Sequence, residues 1–224
     1  MTPLLLLGAS GLAREVLALV EVTGSHRVMG ILDDADQLRH TLIGETPVLG
    51  SLADAHSYPE AQLLVCIGSG QARRQAVSKL LDQGIEETRF ATVIDPSIRV
   101  NPDCAIGPGS ILLAGVVLTC SVTVGRHVVA MPNVTFTHDD VIEDFATLAA
   151  GTSLGGNVSI GSGAYLGMNS AVRQGVRVGP DAFLGMGAAL LSDLPAGQTW
   201  VGVPARPLGV VSPNSRLQPA GEQS

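Results

Sequence analysis

The chain has 224 residues and a formal net charge of −7, with 46% apolar and 15% charged residues. That length leaves room for one large domain or two modest ones. The acidic balance, with no basic stripe and no aromatic-plus-basic cluster, argues against a nucleic-acid partner. No apolar run approaches the length of a membrane span, and Met1 to Leu7 lacks a basic leader region and meets Gly8 too early for a signal peptide. Cys66, Cys104 and Cys120 lie in apolar runs without metal-ligand spacing, which reads as reduced, buried thiols in a cytoplasmic setting.

In chain order, Leu4-Leu5-Leu6-Leu7 reads as a buried strand, Gly8-Ala9-Ser10-Gly11 as a tight turn and Ala13 to Glu21 as a helix. Val28 to Leu32 is a second strand ending at Asp33-Asp34. Leu63 to Ile67 is a third, ending at Gly68-Ser69-Gly70, and Ala72 to Gln83 is a second helix closed by Gly84. Strands alternating with helices imply a small parallel, Rossmann-like α/β unit over residues 1–89. The turn between the first strand and first helix can offer backbone N–H groups to a phosphate. It lacks the third glycine of a dinucleotide fingerprint, because Arg14 or Glu15 stands there. Asp33-Asp34 and Gly68 end strands at the same sheet edge, where open α/β sheets bind ligands. Three loops converging there favour a ligand crevice more than any one of them does.

From Val100 to Leu190 the pattern changes to an unbroken period of six. Ile106, Leu112, Leu118, Val124, Ala130, Phe136, Ile142, Leu148, Leu154, Ile160, Leu166, Val172, Val178 and Leu184 keep one register, and the position four later is small or β-branched almost throughout. Such a period fits neither a helix nor an alternating strand. It predicts a β-solenoid of short parallel strands over residues 90–211, with the large and small residues inward. Abundant Gly, at 27 residues, suits its many corners. Residues 212–224, polar and rich in Pro and Gln, read as a disordered tail.

His138 follows the inward Phe136 by two, so it should point outward, flanked by Asp139 and Asp140. An outward histidine held by a carboxylate is equipped to act as a general base; a surface histidine among acids is the commoner meaning of such a cluster. Asp140 occupies an inward, small-residue position, where an unpartnered carboxylate is costly. Either the corner is distorted or Asp140 is the carboxylate that contacts His138. Glu143 stands where glycine is frequent.

These features together resemble the hexapeptide-repeat, left-handed β-helix sugar acetyltransferases of the sialic acid, bacillosamine and perosamine type. The resemblance rests on the hexads, Gly8-Ala9-Ser10-Gly11, Asp33-Asp34, His138-Asp139, Gly155-Gly156-Asn157-Val158 and Val201-Gly202-Val203-Pro204-Ala205-Arg206, from about Leu4 to Arg206. It implies a homotrimer with sites in the clefts between solenoids. Acetyl-CoA would be the co-substrate, with no metal, and a nucleotide-linked 4-amino-sugar the acceptor, in polysaccharide or glycan biosynthesis. It assigns Ser10, Gly11, Leu12, Asp33, Asp34 and Gly68 to the sugar nucleotide. His138 would be the base, supported by Asp139, and the Gly156 N–H the oxyanion donor. Thr147, Met168 and Met186 would contact acetyl-CoA, although the bacillosamine-type enzyme has a histidine where Thr147 stands.

Three other functions are weighed against it. O-acetylation of a sugar hydroxyl needs the same base. A γ-type carbonic anhydrase needs three zinc-binding histidines, and only His127 and His138 lie in the repeat. A catalytically silent nucleotide-sugar-binding protein is compatible with the unusual residues at Asp140, Glu143 and Thr147.

Overall fold

The computed structural model describes residues 1–208; the predicted tail lies outside the described residues. The first 89 residues form a five-stranded sheet. Its strands are β1 (Thr2–Leu7), β2 (His26–Leu32), β3 (Leu42–Ile43), β4 (Thr46–Gly50) and β5 (Gln62–Val65), in the order β3-β4-β2-β1-β5. Pairing is parallel except for the β3–β4 hairpin. Helices α1 (Gly11–Thr23) and α2 (Gly70–Asp82) complete the Rossmann-like unit. The four leucines of β1 are fully buried, Leu4 and Leu6 against α1 and Leu5 and Leu7 toward α2, as a strand covered on both faces requires. The hairpin is absent from the predicted elements. Its strands are short, and one contains Pro47, so neither makes a clear apolar period.

A β-helix follows. Its two-residue strands pair in parallel with partners eighteen residues on, three hexads to a coil. One face runs from Ala105–Ile106 through Thr123–Val124, Val141–Ile142 and Ser159–Ile160 to Arg177–Val178. The next runs from Val93–Ile94 through Ile111–Leu112, Val129–Ala130, Thr147–Leu148 and Tyr165–Leu166 to Phe183–Leu184 and Thr199–Val201, with Arg206–Pro207 folding back antiparallel. The third carries Val117–Leu118, Thr135–Phe136, Ser153–Leu154, Ala171–Val172 and Ala189–Leu190. The predicted inward residues from Leu112 to Leu190 are at most 5% exposed and form one continuous core. Val100 departs from that register. It is 40% exposed, in the coil before the regular ladder of its face begins. Of the three cysteines expected to be buried, the structure buries only Cys66 and leaves Cys120, two residues past the inward Leu118, exposed.

The faces meet at three corners. The first-to-second corner includes Gly125 to Val128 and Glu143 to Ala146. The second-to-third includes Met131 to Val134 and Gly167 to Ser170. The third-to-first includes Thr137 to Asp140 and Gly155 to Val158. The chain turns through the left-handed region at each, at Asp139 (φ 64°), Asn157 (φ 59°) and Asn169 (φ 54°), residues that tolerate it. His127 (φ 54°) and Phe145 (φ 64°) are bulkier than such positions favour. Both lie under the N-terminal unit.

Candidate active site

The N-terminal unit sits on the first-to-second corner through Arg73 of α2. This side chain is fully buried, and among the described residues it pairs with no carboxylate; all its hydrogen bonds go to carbonyls and one hydroxyl. Its Nε donates to His127 O at 2.7 Å. Nη1 donates to Ile67 O at 2.6 Å and Gly68 O at 3.2 Å, and Nη2 to Phe145 O at 2.9 Å, Ala146 O at 3.1 Å and Thr147 Oγ1 at 3.0 Å. Burial pushes the guanidinium down to about 10, so it stays charged at neutral pH, solvated by carbonyls in place of water. Gly70 fits the same close approach, since a Cβ there would run into Phe145 O and Gly163.

His127 completes this junction. Its ring is stacked on Phe145 at 5.2 Å and meets Phe90 edge-on at 4.8 Å. Among the described residues its two nitrogens lack hydrogen-bond partners; Glu87 Oε1 stands 3.5 Å from Nε2 without hydrogen-bond geometry. Burial first, then the cations Arg73 and Arg126, push it down to about 4. His127 is therefore a neutral packing residue. Among the described residues no group of three or more His, Cys, Asp or Glu is placed to hold a metal ion.

The loops at the carboxyl ends of β1, β2 and β5 do converge, around a crevice of about 450 Å³ lined by Gly8, Ser10, Asp33, Asp34 and Gly68. Ser10 caps α1: its Oγ accepts from Leu12 N at 3.1 Å and donates to Cys66 O at 2.6 Å. Asp33 ties two loops together, accepting from Ala9 N at 2.7 Å and Ala35 N at 2.8 Å. Asp34 accepts from Leu52 N at 2.9 Å and stands 3.5 Å from Lys79 Nζ. Each carboxylate keeps lone pairs for a ligand. Gly11 and Leu12 do not line the crevice: Gly11 opens α1 and Leu12 is 7% exposed in the core. Gln75 and Lys79 of α2 do line it. Sequence reasoning passed over them, although their spacing after Gly68-Ser69-Gly70 places them on one helical face. A larger cavity, about 670 Å³ between α1 and the β3–β4 hairpin, contains none of the predicted residues.

His138 lies on the third-to-first corner, with its side chain 53% exposed. Its Nδ1 is 2.8 Å from Asp139 Oδ2. An ionised carboxylate only accepts, so Nδ1 carries the proton and Nε2 keeps its lone pair. The ring lies over Gly156 of the next coil, and a Cβ at Gly156 would collide first with Nε2. The flanking N–H groups are taken up, Gly155 N by Val172 O and Asn157 N by His138 O. Among the described residues no hydrogen bond uses the Gly156 N–H.

Among the described residues Asp140 makes no hydrogen bond to His138; Asp139 does. The Asp140 side chain is instead fully buried, accepting from Thr137 N at 2.8 Å and Val158 N at 2.9 Å. Glu143 turns outward and accepts from Ser162 N at 2.8 Å. Met168 and Met186 are exposed and successive on the second-to-third corner. Thr147 is 4% exposed, its hydroxyl donating to Gly68 O at 3.0 Å and accepting from Arg73. The structure therefore places it in the domain junction and apart from the two methionines. The crevice side, the methionines and His138 belong to three different corners of one prism, each face six residues wide and so up to about 20 Å.

An outward histidine held by a carboxylate, above an unengaged N–H on a hexapeptide β-helix, has the parts that direct acyl transfer requires. Residues 3–80 match the family described as the PglD N-terminal domain. WeeI from Acinetobacter baumannii AYE is 30% identical over 93% of this chain and 100% of its own, with a TM-score of 0.78. The acetyltransferase domain of PglB from Neisseria gonorrhoeae FA1090, also known in complex with acetyl coenzyme A, is 27% identical over 93% and 100%, TM-score 0.83. PerB from Caulobacter crescentus, solved with CoA and GDP-perosamine, is 28% identical over 92% and 97%, TM-score 0.83. The chain is an acetyltransferase. It belongs to the hexapeptide-repeat sugar acetyltransferases.

Proposed function

We propose that this enzyme transfers the acetyl group of acetyl-CoA to the amino group of a nucleotide-linked 4-amino-sugar, with His138 as general base. The observation that carries the reading is the His138 imidazole, its Nδ1 held by Asp139 and its free Nε2 beside the unengaged Gly156 N–H. Nε2 takes a proton from the amine as the nitrogen attacks the thioester carbonyl. The oxyanion that forms is stabilised by Gly156 N–H, and its collapse expels the CoA thiolate, which regains the proton. No covalent acetyl-enzyme is required.

The crevice residues Ser10, Asp33, Asp34 and Gly68 hold the nucleotide, with Gly11 and Leu12 supporting them as the first turn of α1. Met168 and Met186 offer apolar surface to the pantetheine of acetyl-CoA, and Thr147 acts from beneath by seating Gly68. Because these parts stand on different corners of one prism, the complete site forms between copies, for which a trimer supplies three equivalent clefts. Residues 1–89 and 90–211 then serve as the acceptor-binding and transfer domains. Among the described residues no helix is long and apolar enough to cross a membrane.

The test is thiol release from acetyl-CoA with nucleotide-linked 4-amino-sugars and their hydroxy analogues, using native enzyme and His138→Ala. Release with one amino-sugar, lost in His138→Ala, is expected. Release with hydroxy analogues alone would make it an O-acetyltransferase. Nucleotide-sugar binding without release from any acceptor would overturn the catalytic reading.

A further inference from the structure

In the regular coil, the N–H just after each inward large residue donates to the carbonyl seventeen residues on: Thr119 N to Phe136 O, Glu143 N to Ile160 O, Gly155 N to Val172 O. Thr137 breaks the series. Its N–H goes to Asp140 Oδ2, and its Oγ1 takes Leu154 O instead, at 3.1 Å. The strand pairing records the same break, since Thr135–Phe136 meets Ser153–Leu154 through Thr135 and Ser153 alone. A second regularity fails one coil later. Most corners close with a bond from their fourth residue to their first, as at Ala146 N to Glu143 O and Val176 N to Arg173 O. Val158 N donates instead to Asp140 Oδ1.

One carboxylate thus replaces a ladder bond in the corner that carries His138 and a turn bond in the corner that carries Gly156. We infer that Asp140 is a positioning residue, a buried clasp that fixes the His138 imidazole relative to the Gly156 N–H. The inference rests on the catalytic reading above. Its physical basis is that a carboxylate offers two acceptors on rigid arms, whereas the alanines and valines commonest at this position offer none. Ser110 makes a weaker version at another corner, accepting from Val128 N at 3.0 Å and donating to Gly125 O at 2.9 Å. Burial pushes the Asp140 carboxyl up to about 6, against the pull of its two N–H donors, so it is ionised at neutral pH. A side chain whose charged form is disfavoured by its surroundings, at a position where most coils carry a small or apolar residue, is poorly explained by stability alone.

Asp140→Ala should let Thr137 N return to Leu154 O and Val158 N to Gly155 O, giving a fold as stable as the native one. Turnover should nevertheless fall at least tenfold, with KM for both substrates within twofold. Asp140→Asn, which keeps one acceptor, should fall between. Turnover within twofold of native in both variants, or a lowered Tm with turnover per folded molecule unchanged, would overturn the inference. If the native chain acetylates no acceptor, the catalytic reading fails by itself. The clasp is then read by NMR of the His138 ring, which should give one set of signals in the native chain and broadened or doubled signals in Asp140→Ala. An unchanged set would overturn it.

Discussion

Two corners of the same β-helix carry a histidine, and they have opposite characters. His127 is fully buried between Phe90 and Phe145, uncharged, with both nitrogens unpartnered among the described residues. His138 stands in solvent, one nitrogen held by Asp139 and the other free. The repeat supplies similar backbone at both places, with the chain passing through φ 54° at His127 and φ 64° at Asp139. What differs is the covering. The N-terminal unit closes over the first corner and leaves the other uncovered. Chemistry in this fold is set by which corner is left uncovered.

The largest effects should separate the two corners. His138→Ala removes the proposed base, and turnover should fall by about 100- to 10,000-fold with little change in urea unfolding, because the ring is exposed. Arg73→Met should do the reverse. It strips the donors from the carbonyls of Ile67, Gly68, His127 and Phe145. We expect a loss of about 3–5 kcal/mol in urea unfolding, on the scale of breaking a buried charged network. If Arg73→Met unfolded with native stability, the junction would not depend on its buried cation.

Gly156→Ala comes next. The added methyl enters the space of the His138 ring, so turnover should drop by at least tenfold while the crevice still binds the sugar nucleotide with native affinity in calorimetry. A variant with native turnover would show that the ring need not lie over Gly156.

Acid should act on the two corners with opposite sign. His127 is held at about 4 against its usual 6.5. Between those values the unfolded chain binds its proton and the folded one does not, so stability present above pH 6.5 is lost as pH falls toward 4. Asp140 is raised to about 6 from its usual 3.8, chiefly by burial, with the nearby His138 and Asp139 acting in opposing directions. There the folded chain holds the extra proton, so this group adds stability as pH falls through 6 toward 3.8. Each contribution is up to about 3 kcal/mol. Replacing His127 by Leu should flatten the loss of stability below pH 6.5, and Asp140→Ala should steepen it, as measured by unfolding at a series of pH values.

How much of this the sequence discloses also differs between the corners. The hexad register places the inward residues from Leu112 to Leu190 because a repeated coil imposes one environment per position. The same register puts His138 outside and marks Asp140 as out of place. It does not say that Asp140 bonds two backbone N–H groups on successive coils, those of Thr137 and Val158, since the choice between that and a contact with His138 depends on geometry within a few ångströms. The junction was less legible still. Arg73, Phe90, His127 and Phe145 come from four separated segments, and no local pattern announces their meeting. The crevice was legible as a sheet edge, from strand ends and glycines, but not the face of α2 that supplies Gln75 and Lys79.

The smallest effect belongs to a neighbour of the largest. Arg74 follows Arg73 on α2 and also reaches the β-helix, with its Nη2 3.1 Å from Asp181 Oδ1 and its guanidinium 5.7 Å from the Phe145 ring. Both charged side chains are well exposed, at 36% and 51%. Solvent then screens the pair, and Asp181→Asn should cost no more than about 0.5 kcal/mol in urea unfolding, with turnover unchanged. The contrast with Arg73→Met, one residue away, isolates the reason: the junction is held where the guanidinium has no water to return to. A loss of several kcal/mol in Asp181→Asn would mean that the outer ion pair, and not the buried carbonyl cage, fastens the N-terminal unit to its corner.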